Sequence, residues 1–400
     1  MKVLHFCISD IAGAGLCCVR IHQSLLDCGI DSKVVVHTKC SDSPEVYQYE
    51  SIRNKIYRVI SKVFRSLGLP LTERSKVLMM ALKHKTTYSL PVSYVDITKC
   101  QWYEWADVIH LHWINNYVDY PSFFKKNTKP VVWTLHDENL FYGIAHHHRS
   151  ILPDDKMERK YKQLKIETIR NAANLSIVFL SKFMYDKFGS EMIIEGKRKL
   201  VINNSVNGDI FKIGDKSSLR KKYGFAEDKK IILFVAGDIN DPNKGLEQLS
   251  KAVAELNDER YVILAIGSNL SGTQWPYTIS YGRVSDPHIL SELISTADIF
   301  ALPSFQEAFP QSPLEAMACG IPVLSFPVSG IVEAVNDQNG IICNDFTVSE
   351  LVRGIKLMSQ KQYDAATIRE DVLARYSPEK IAHQYINLYQ QVLDNCHPCE

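Results

Sequence analysis

Two glutamates separated by seven residues, Glu307 and Glu315, lie in the stretch IFALPSFQEAFPQSPLEAMACGIPVLSFPVSGIVEAV (299–335). The apolar run 299–303 reads as a strand that ends at Pro303, followed by a loop carrying Glu307 to Gln311. A helix is expected next, with Ser312 as N-cap, Pro313 at its first position and Glu315 at its third. Proline suits that first position because its missing N–H would be unpaired anyway. Backbone amides at a helix start, reinforced by the helix dipole, make a site for phosphate. A carboxylate just beyond a strand's C-terminal end is placed to accept hydrogen bonds from sugar hydroxyls. Two plainer readings stay open: Ser312-x-x-Glu315 has the form of a capping box, and Glu307 fits a solvated loop acid.

Lys244 precedes Gly245 in KIILFVAGDINDPNKGLEQL (230–249), where a strand–loop–helix passage would aim a cation into the same region. A lysine near a helix start is unfavourable unless an anion is close; the alternative is an ordinary surface lysine. A cation and oriented amides stabilise a leaving group that gains negative charge as its bond breaks. His110, His112, His136 and Asp137 invite a metal reading, and His110 and His112 share one face of a strand. A bound metal usually needs three or four convergent ligands, so core or cleft histidines are favoured and no metal is expected. His146 to His148 are consecutive and point different ways. Gly13-Ala14-Gly15 suggests a dinucleotide loop, but Cys18 stands where the third glycine belongs and no acid closes Val36-His37-Thr38. No NAD or other cofactor is expected.

The elements that must position these residues alternate between β-rich and amphipathic runs, the pattern of parallel sheets covered by helices. Strands are expected at 2–9, 32–38, 107–113, 130–136, 175–181 and 199–203, with helices at 15–28, 55–66, 157–172 and 182–188. The alternation restarts with strands at 230–236, 261–267, 277–281, 299–303, 322–326 and 340–343, and helices at 245–257, 287–296, 313–319, 347–360 and 378–395. The polar segment 204–229, with Asn207-Gly208, is the expected hinge. Four hundred residues fit two domains of about 200 each. Open α/β sheets bind ligands beyond the carboxyl ends of their strands, where the strand order reverses.

Composition is ordinary for a globular chain, with 46% hydrophobic and 23% charged residues. No apolar run approaches the roughly 20 residues of a membrane span. MKVLHFCISD lacks the marks of a signal peptide, and ten scattered cysteines suit a reducing, cytoplasmic setting. Cys396 and Cys399 form a lone CxxC in the tail. Residues 1–200 carry 29 Lys+Arg against 20 Asp+Glu (+9), and residues 201–400 carry 17 against 25 (−8). Nine basic residues between Arg53 and Lys85 face one acid, Glu73. Within 51–85, Ile56, Val59, Ile60, Val63, Phe64 and Leu67 are spaced as one helical face, with Lys55, Arg58, Lys62 and Arg65 over much of the rest. Such a helix could lie on an anionic membrane surface or pack on the first sheet.

Glu307 and Glu315 within PSFQEAFPQSPLEAMACGIPVLSF resemble the Glu-x7-Glu sugar-donor motif of retaining glycosyltransferases, and Ser329-Gly330 fits as well. The nearest resemblance is to glycosyltransferase family 4, whose GT-B fold consists of two Rossmann-like doubly wound parallel-sheet α/β domains facing a central cleft. It extends to SDIAGAGLCCVRIHQSLLDCGIDSKVVV (9–36), DVIHLHW, VVWTLHD, VINNSVNGDIF (201–211) and 230–249; only about 45–100 and the tail are poorly covered. The expected domains are 1–205 for the acceptor and 206–377 for the nucleotide-sugar, with helix 378–395 crossing back. The resemblance implies that Glu307 contacts sugar hydroxyls, Glu315 holds the ribose, Lys244 neutralises the diphosphate, and amides around Phe309, Pro310, Gln311, Ser312 and Leu314 hold phosphate and sugar oxygens. His136 would sit beside the reacting sugar, with Gly13 and Gly15 near diphosphate and acceptor and His112 on the acceptor side. Two departures stand out. Gly237 is followed by Asp238 where relatives carry arginine, with Arg283 as a candidate substitute. HDENLFYGIAHHHR (136–149) replaces a glycine- and cysteine-rich segment.

The implied activity is metal-independent transfer from a UDP- or GDP-sugar to a saccharide or lipid-linked saccharide in cell-surface polysaccharide or glycoconjugate assembly. The enzyme would be cytoplasmic, with possible peripheral membrane contact through 51–85, and no nucleic-acid partner is expected. The rivals are a nucleotide-sugar epimerase on the same fold, a phosphorylase, which would need a pyridoxal site and greater length, and a non-catalytic two-domain sugar-binding protein.

Overall fold

A computed structural model describes residues 1–66, 72–84, 86–152, 155–269 and 271–396. Leu67 and Cys399 lie outside the described residues, as do the side chains of Arg58, Phe64, Arg65 and Cys396. The chain divides into two compact units, Met1–Ile202 with Ala382–Glu400, and Asn203–Ile381.

The first unit runs β1 (Lys2–Ser9), α1 (Ala12–Asp27), β2 (Asp31–Thr38), β3 (Val46–Gln48), α2 (Ile52–Ser66), α3 (Glu73–His84), β4 (Val108–Leu111), α4 (Tyr120–Lys126), β5 (Val131–Leu135), α5 (Lys156–Arg170), β6 (Leu175–Phe179), α6 (Lys182–Phe188) and β7 (Arg198–Val201). Its seven strands form one sheet in the order β3-β2-β1-β4-β5-β6-β7. Every pairing is parallel, with His5 opposite His110 and Val131 opposite Leu175. Parallel strands are covered on both faces and so read as continuous apolar runs rather than alternations. Val34, Val35 and Val36 are accordingly all fully buried.

The second unit contains α7 (Lys216–Tyr223), β8 (Lys230–Asp238), α8 (Leu246–Leu256), β9 (Tyr261–Ser268), β10 (Thr278–Gly282), α9 (Pro287–Ser295), β11 (Ile299–Leu302), α10 (Gln311–Ala318), β12 (Val323–Ser325), α11 (Ile331–Ala334), β13 (Gly340–Ile342), α12 (Val348–Gln360) and α13 (Ala365–Tyr376). Its sheet order is β10-β9-β8-β11-β12-β13. Leu249 and Val253 of α8 and Leu351 and Ile355 of α12 bury their apolar stripes against Ile232, Phe234, Ile263 and Leu324. α14 (Pro378–Cys396) closes the chain; its Tyr385 and Tyr389 are fully buried within the first unit.

β3, α3, α4, α7, α11 and α13 have no counterpart in the expected elements. They are short, or too polar for their apolar spacing to stand out. Three of them are nevertheless capped by side chains of the expected types: at α4 Asp119 accepts from the Ser122 amide, at α7 Asp215 from Ser218 and at α13 Asp364 from Thr367. The segment 204–229, expected as a polar hinge, therefore contains a helix.

α7 also places Arg220, almost fully buried, against four acceptors. Its Nε donates to the Thr296 carbonyl at 3.0 Å, Nη1 to those of Glu227 and Lys229 at 3.2 Å, and Nη2 to Asp298 Oδ2 at 2.7 Å. Asp298 in turn accepts from the Ile231 amide at the start of β8. Arg220→Met would take the donor from three carbonyls and from Asp298, which is a third exposed and keeps Lys216 at 3.0 Å as a partner. Urea unfolding should register a loss of about 1–3 kcal/mol; a loss under about 0.5 kcal/mol would show that Arg220 does not anchor the start of β8.

Candidate active site

In the second unit the strand order reverses between β8 and β11, so the loops after these two strands lie side by side. The β8 loop carries Lys244 and the β11 loop carries Glu307, and Lys244 Nζ donates to Glu307 Oε1 at 2.7 Å. Burial works against the Lys244 charge, but the Glu307 carboxylate and, further off, Asp241 outweigh it and raise the lysine's pKa. The Phe305 amide donates to the Asn243 carbonyl at 2.8 Å, binding the two loops backbone to backbone. Between them sits Gly245, at φ +77°, where a Cβ would come within 2.0 Å of the Pro303 carbonyl oxygen. Only glycine allows the loops to approach this closely.

The rest of the β11 loop is fixed from its buried side. Ser329 Oγ donates to the Ala308 carbonyl at 2.7 Å, and Asn204 Nδ2 donates to that of Phe309 at 2.9 Å. Phe309, Pro310 and Leu314 are buried, with Phe309 against the Tyr376 ring at 5.5 Å between centroids. Asn204 escaped the sequence reading because nothing in its neighbourhood marks it as a partner of a loop 105 residues away.

The expected helix start is corrected. α10 begins at Gln311 with Pro310 as N-cap, and no side chain caps it, so Ser312 and Glu315 form no capping box. Pro310 fixes φ near the value the N-cap needs (−70°), which moves the start two residues ahead of Ser312. The half-buried Gln311 and Ser312 therefore supply the opening amides, while Pro313 contributes none. Glu315 is buried within the helix. Arg283 is exposed just past β10, the edge strand two places from β8, and takes no part in the Lys244–Glu307 contacts.

In the first unit the order reverses between β1 and β4. α1 starts at Ala12, with no side-chain cap, so Gly13 and Gly15 stand in its first turns rather than in the expected loop. A Cβ on Gly15 would meet the Ser9 carbonyl oxygen at 2.5 Å, whereas Gly13 faces open space. His112 follows β4 and His136 follows β5, and they join through His112 Nδ1 and His136 Nε2 at 3.0 Å. On its other side His112 Nε2 meets His5 Nδ1 at 3.0 Å. His5 was not singled out from sequence, since one histidine inside an apolar strand reads as core; its register with His110 reveals it. One nitrogen from each of His5, His110 and His112 comes within 4.8 Å of the others, a third convergent imidazole where the sequence reading found two. Burial lowers the pKa of all three, assisted by neighbouring histidines, and lowers that of His136 to about 4 against the raising effect of Asp137.

The divergent segment after His136 is clamped. Asp137 Oδ2 accepts from Trp113 Nε1 and pairs with His146 Nδ1, each at 2.5 Å, and His146 Nε2 meets Ser89 Oγ at 2.9 Å. Burial would raise the Asp137 pKa, but His146 and these hydrogen bonds hold it well below the usual carboxylate range. Glu158 of α5 accepts from the amides of Gly143, Ile144 and Ala145. Lys165, fully buried, donates to the Asn139 carbonyl at 2.6 Å, Asn139 Oδ1 at 2.8 Å and the Tyr142 carbonyl at 2.9 Å.

The apolar face of α2 does not pack on the sheet: Ile52, Ile56, Val59, Ile60 and Val63 are between 44% and 76% exposed. α2 is tethered instead through the buried Asn54, whose amide nitrogen contacts Glu50 at 2.8 Å and His37 at 3.2 Å. No described helix is long and apolar enough to cross a membrane.

With two parallel α/β sheets and this pair of loops in place, the comparisons with known proteins fall into line. Residues 215–373, inside the second unit, match the family of glycosyl transferases group 1. The chain is 25% identical over 249 residues to an uncharacterized glycosyltransferase of Methanocaldococcus jannaschii, covering 57% of this chain and 63% of that protein. It is 30% identical over 179 residues to the N,N'-diacetylbacillosaminyl-diphospho-undecaprenol alpha-1,3-N-acetylgalactosaminyltransferase of Campylobacter jejuni, covering 42% and 46%. The matches thus span less than two thirds of the length of these two curated relatives. Among solved structures it resembles Anabaena HepE in complex with UDP-glucose, with a TM-score of 0.66 at 18% identity over 98% of this chain and all of that one. The fold is the two-domain α/β fold of GT-B glycosyltransferases.

Lys165 gives the clamp a pH signature. Burial pushes its pKa from 10.5 down to about 7, against the raising charges of Asp137 and Glu158. The unfolded chain therefore holds this proton over a range where the native state releases it, and native stability rises with pH between about 7 and 10.5. Below that window both states are protonated and the slope vanishes. Denaturant melts at several pH values should show Lys165→Met losing this slope relative to wild type; parallel curves would place the titration elsewhere.

Proposed function

We propose that this protein is a retaining glycosyltransferase that moves a sugar from a nucleoside diphosphate to an acceptor hydroxyl in cell-surface polysaccharide or glycoconjugate assembly. The observation that carries this reading is the Lys244–Glu307 pair at the switch point, followed in the same loop by a helix start that no side chain caps. Glu307 would hold sugar hydroxyls, Lys244 and the Gln311 and Ser312 amides the diphosphate, and Glu315 the ribose. As the bond from the anomeric carbon to the phosphate oxygen breaks, its electron pair and negative charge go to the diphosphate. A cation and fixed amides stabilise that charge more in the transition state than in the ground state. The acceptor oxygen then bonds to the same face of the anomeric carbon, and its proton passes to the departing phosphate. Neutralisation by Lys244 and the helix start makes this scheme independent of a metal ion. The family match over 215–373 and the UDP-glucose complex of HepE support a nucleotide-sugar donor.

A panel of UDP-, GDP- and ADP-sugars tested by thermal shift should single out one nucleotide. Ligand at 100 times its dissociation constant stabilises by about 2.7 kcal/mol. Glu307→Ala should nearly abolish transfer, and Lys244→Ala should cost about 2–4 kcal/mol of transition-state stabilisation together with nucleotide affinity. No shift with any sugar nucleotide, or normal transfer by both variants, would sink the proposal; an epimerase would instead release converted nucleotide-sugar without an acceptor.

The exposed apolar face of α2 supports a second element of the reading, peripheral docking on the cytoplasmic face of an anionic membrane. Arg53, Lys55 and Lys62 accompany Ile52, Ile56, Val59, Ile60 and Val63 on α2, and Lys76 and Lys83 stand on α3. Apolar insertion and attraction to anionic headgroups add, at about 1 kcal/mol per basic residue near the surface. A lipid-linked acceptor, as the Campylobacter relative's name specifies for that enzyme, would be met there. The full chain should float with vesicles containing phosphatidylglycerol and not with neutral ones, and an Ile56→Ser/Val59→Ser variant should lose flotation while keeping transfer to a soluble acceptor. Equal recovery of wild type and variant would refute docking through α2.

A further inference from the structure

We propose that His5 and His112 are positioning residues that fix the tautomer of His136, so that His136 presents its Nδ1–H as a hydrogen-bond donor to an oxygen of a bound saccharide. This rests on the proposed reading of the protein as a glycosyltransferase. Three rings form one file: His5 Nδ1 lies 3.0 Å from His112 Nε2, and His112 Nδ1 lies 3.0 Å from His136 Nε2. A neutral imidazole carries one N–H and one lone pair, so each ring donates on one side and accepts on the other. The direction at one end therefore dictates the direction along the whole file.

The deciding end is His5. Its Nε2 is buried and has no hydrogen-bond partner among the described residues. If that nitrogen carried the proton, the file would leave a buried N–H without an acceptor, which proteins tolerate less often than an unmatched acceptor. The favoured arrangement puts the proton on His5 Nδ1, donating to His112 Nε2. His112 Nδ1–H then donates to His136 Nε2, and the remaining proton of the half-buried His136 sits on Nδ1. Burial keeps all three rings neutral at neutral pH. The titratable groups acting on His5 and His112 are other histidines (His22, His110 and His136), while Asp137 acts on His136.

A metal held by His5, His110 and His112 is the competing use of the cluster. Both His110 nitrogens are already engaged, Nδ1 by the Tyr389 hydroxyl at 2.7 Å and Nε2 by Thr134 Oγ1 at 2.8 Å. No carboxylate is among the groups acting on these three rings, so a buried dication would stay uncompensated. Hydroxyls on both sides of His110 also keep it out of the file as a donor to His5.

The test is a long-range proton–nitrogen correlation spectrum of the full chain, labelled with 15N-histidine, at neutral pH. His136→Gln identifies the His136 signals by their loss. His136 should show a protonated Nδ1 and a bare Nε2. His5→Leu should mix the two tautomers at His136 and lower kcat about tenfold, the cost of one misdirected hydrogen bond, with little change in KM. His5→Asn, whose amide can still donate from the Nδ1 position, should restore both. A proton on His136 Nε2, a cationic His136, unchanged tautomers in His5→Leu, or a spectrum altered by chelator treatment would overturn the proposal. The spectrum needs no substrate, so correct tautomers in a protein without transferase activity would defeat the proposed function alone, and reversed tautomers in an active enzyme would defeat this inference alone.

Discussion

A parallel sheet sends every strand out at the same edge, and each return must cross a face before the next strand begins. That constraint governs both units. It buries the strands on two sides, demands the helical crossovers, and gathers the loops that follow the strands along one rim. Where the strand order reverses, two of those loops lie next to each other without a helix between them. In the second unit the pair is the β8 and β11 loops, and residues 63 apart in sequence become hydrogen-bonded neighbours. In the first unit the same reversal puts β1 beside β4, so that His5 and His110 stand in register.

The glycines show what such closeness requires. At Gly245 the neighbouring loop's carbonyl occupies the space of a side chain, and the backbone is left-handed. At Gly15 the helix presses on the strand end before it, with ordinary backbone angles. Gly13, two residues away, meets nothing. The GxG spacing in α1 thus contains one residue under steric constraint and one without.

Much of this was legible in the sequence because it depends on local patterns. Apolar runs such as KIILFVA and YVILAIG mark doubly covered strands, and the tract around Glu307 and Glu315 marks a loop and a helix start. What failed to show was tertiary. The start of α10 lies two residues ahead of the pattern-based position because Pro310, though Ser312 looks like a better cap, already has the extended angles of an N-cap. α2 reads equally well as a packed or an exposed amphipathic helix, since periodicity reveals a stripe but not what covers it; the exposure of Ile52 and Val59 separates the two. His5 and Asn204 matter through partners more than a hundred residues away, which no spacing rule reaches.

The Lys244–Glu307 pair also bears on the order of events at the candidate site. The two side chains are only 31% and 14% exposed, so desolvation offsets much of their mutual attraction and the net worth of the pair stays small. A diphosphate reaching Lys244 brings more negative charge than the single carboxylate it would replace as partner. In the proposed reaction, exchanging Glu307 for phosphate would be favourable at the lysine and would free Glu307 Oε1 to accept from hydroxyls. The start of α10, which no side chain caps, adds its opening amides. Under the proposed function, arrival of the diphosphate would prepare Glu307 for the sugar attached to it. The ion pair that joins the two loops would then be the means by which the proposed nucleotide binding orients Glu307.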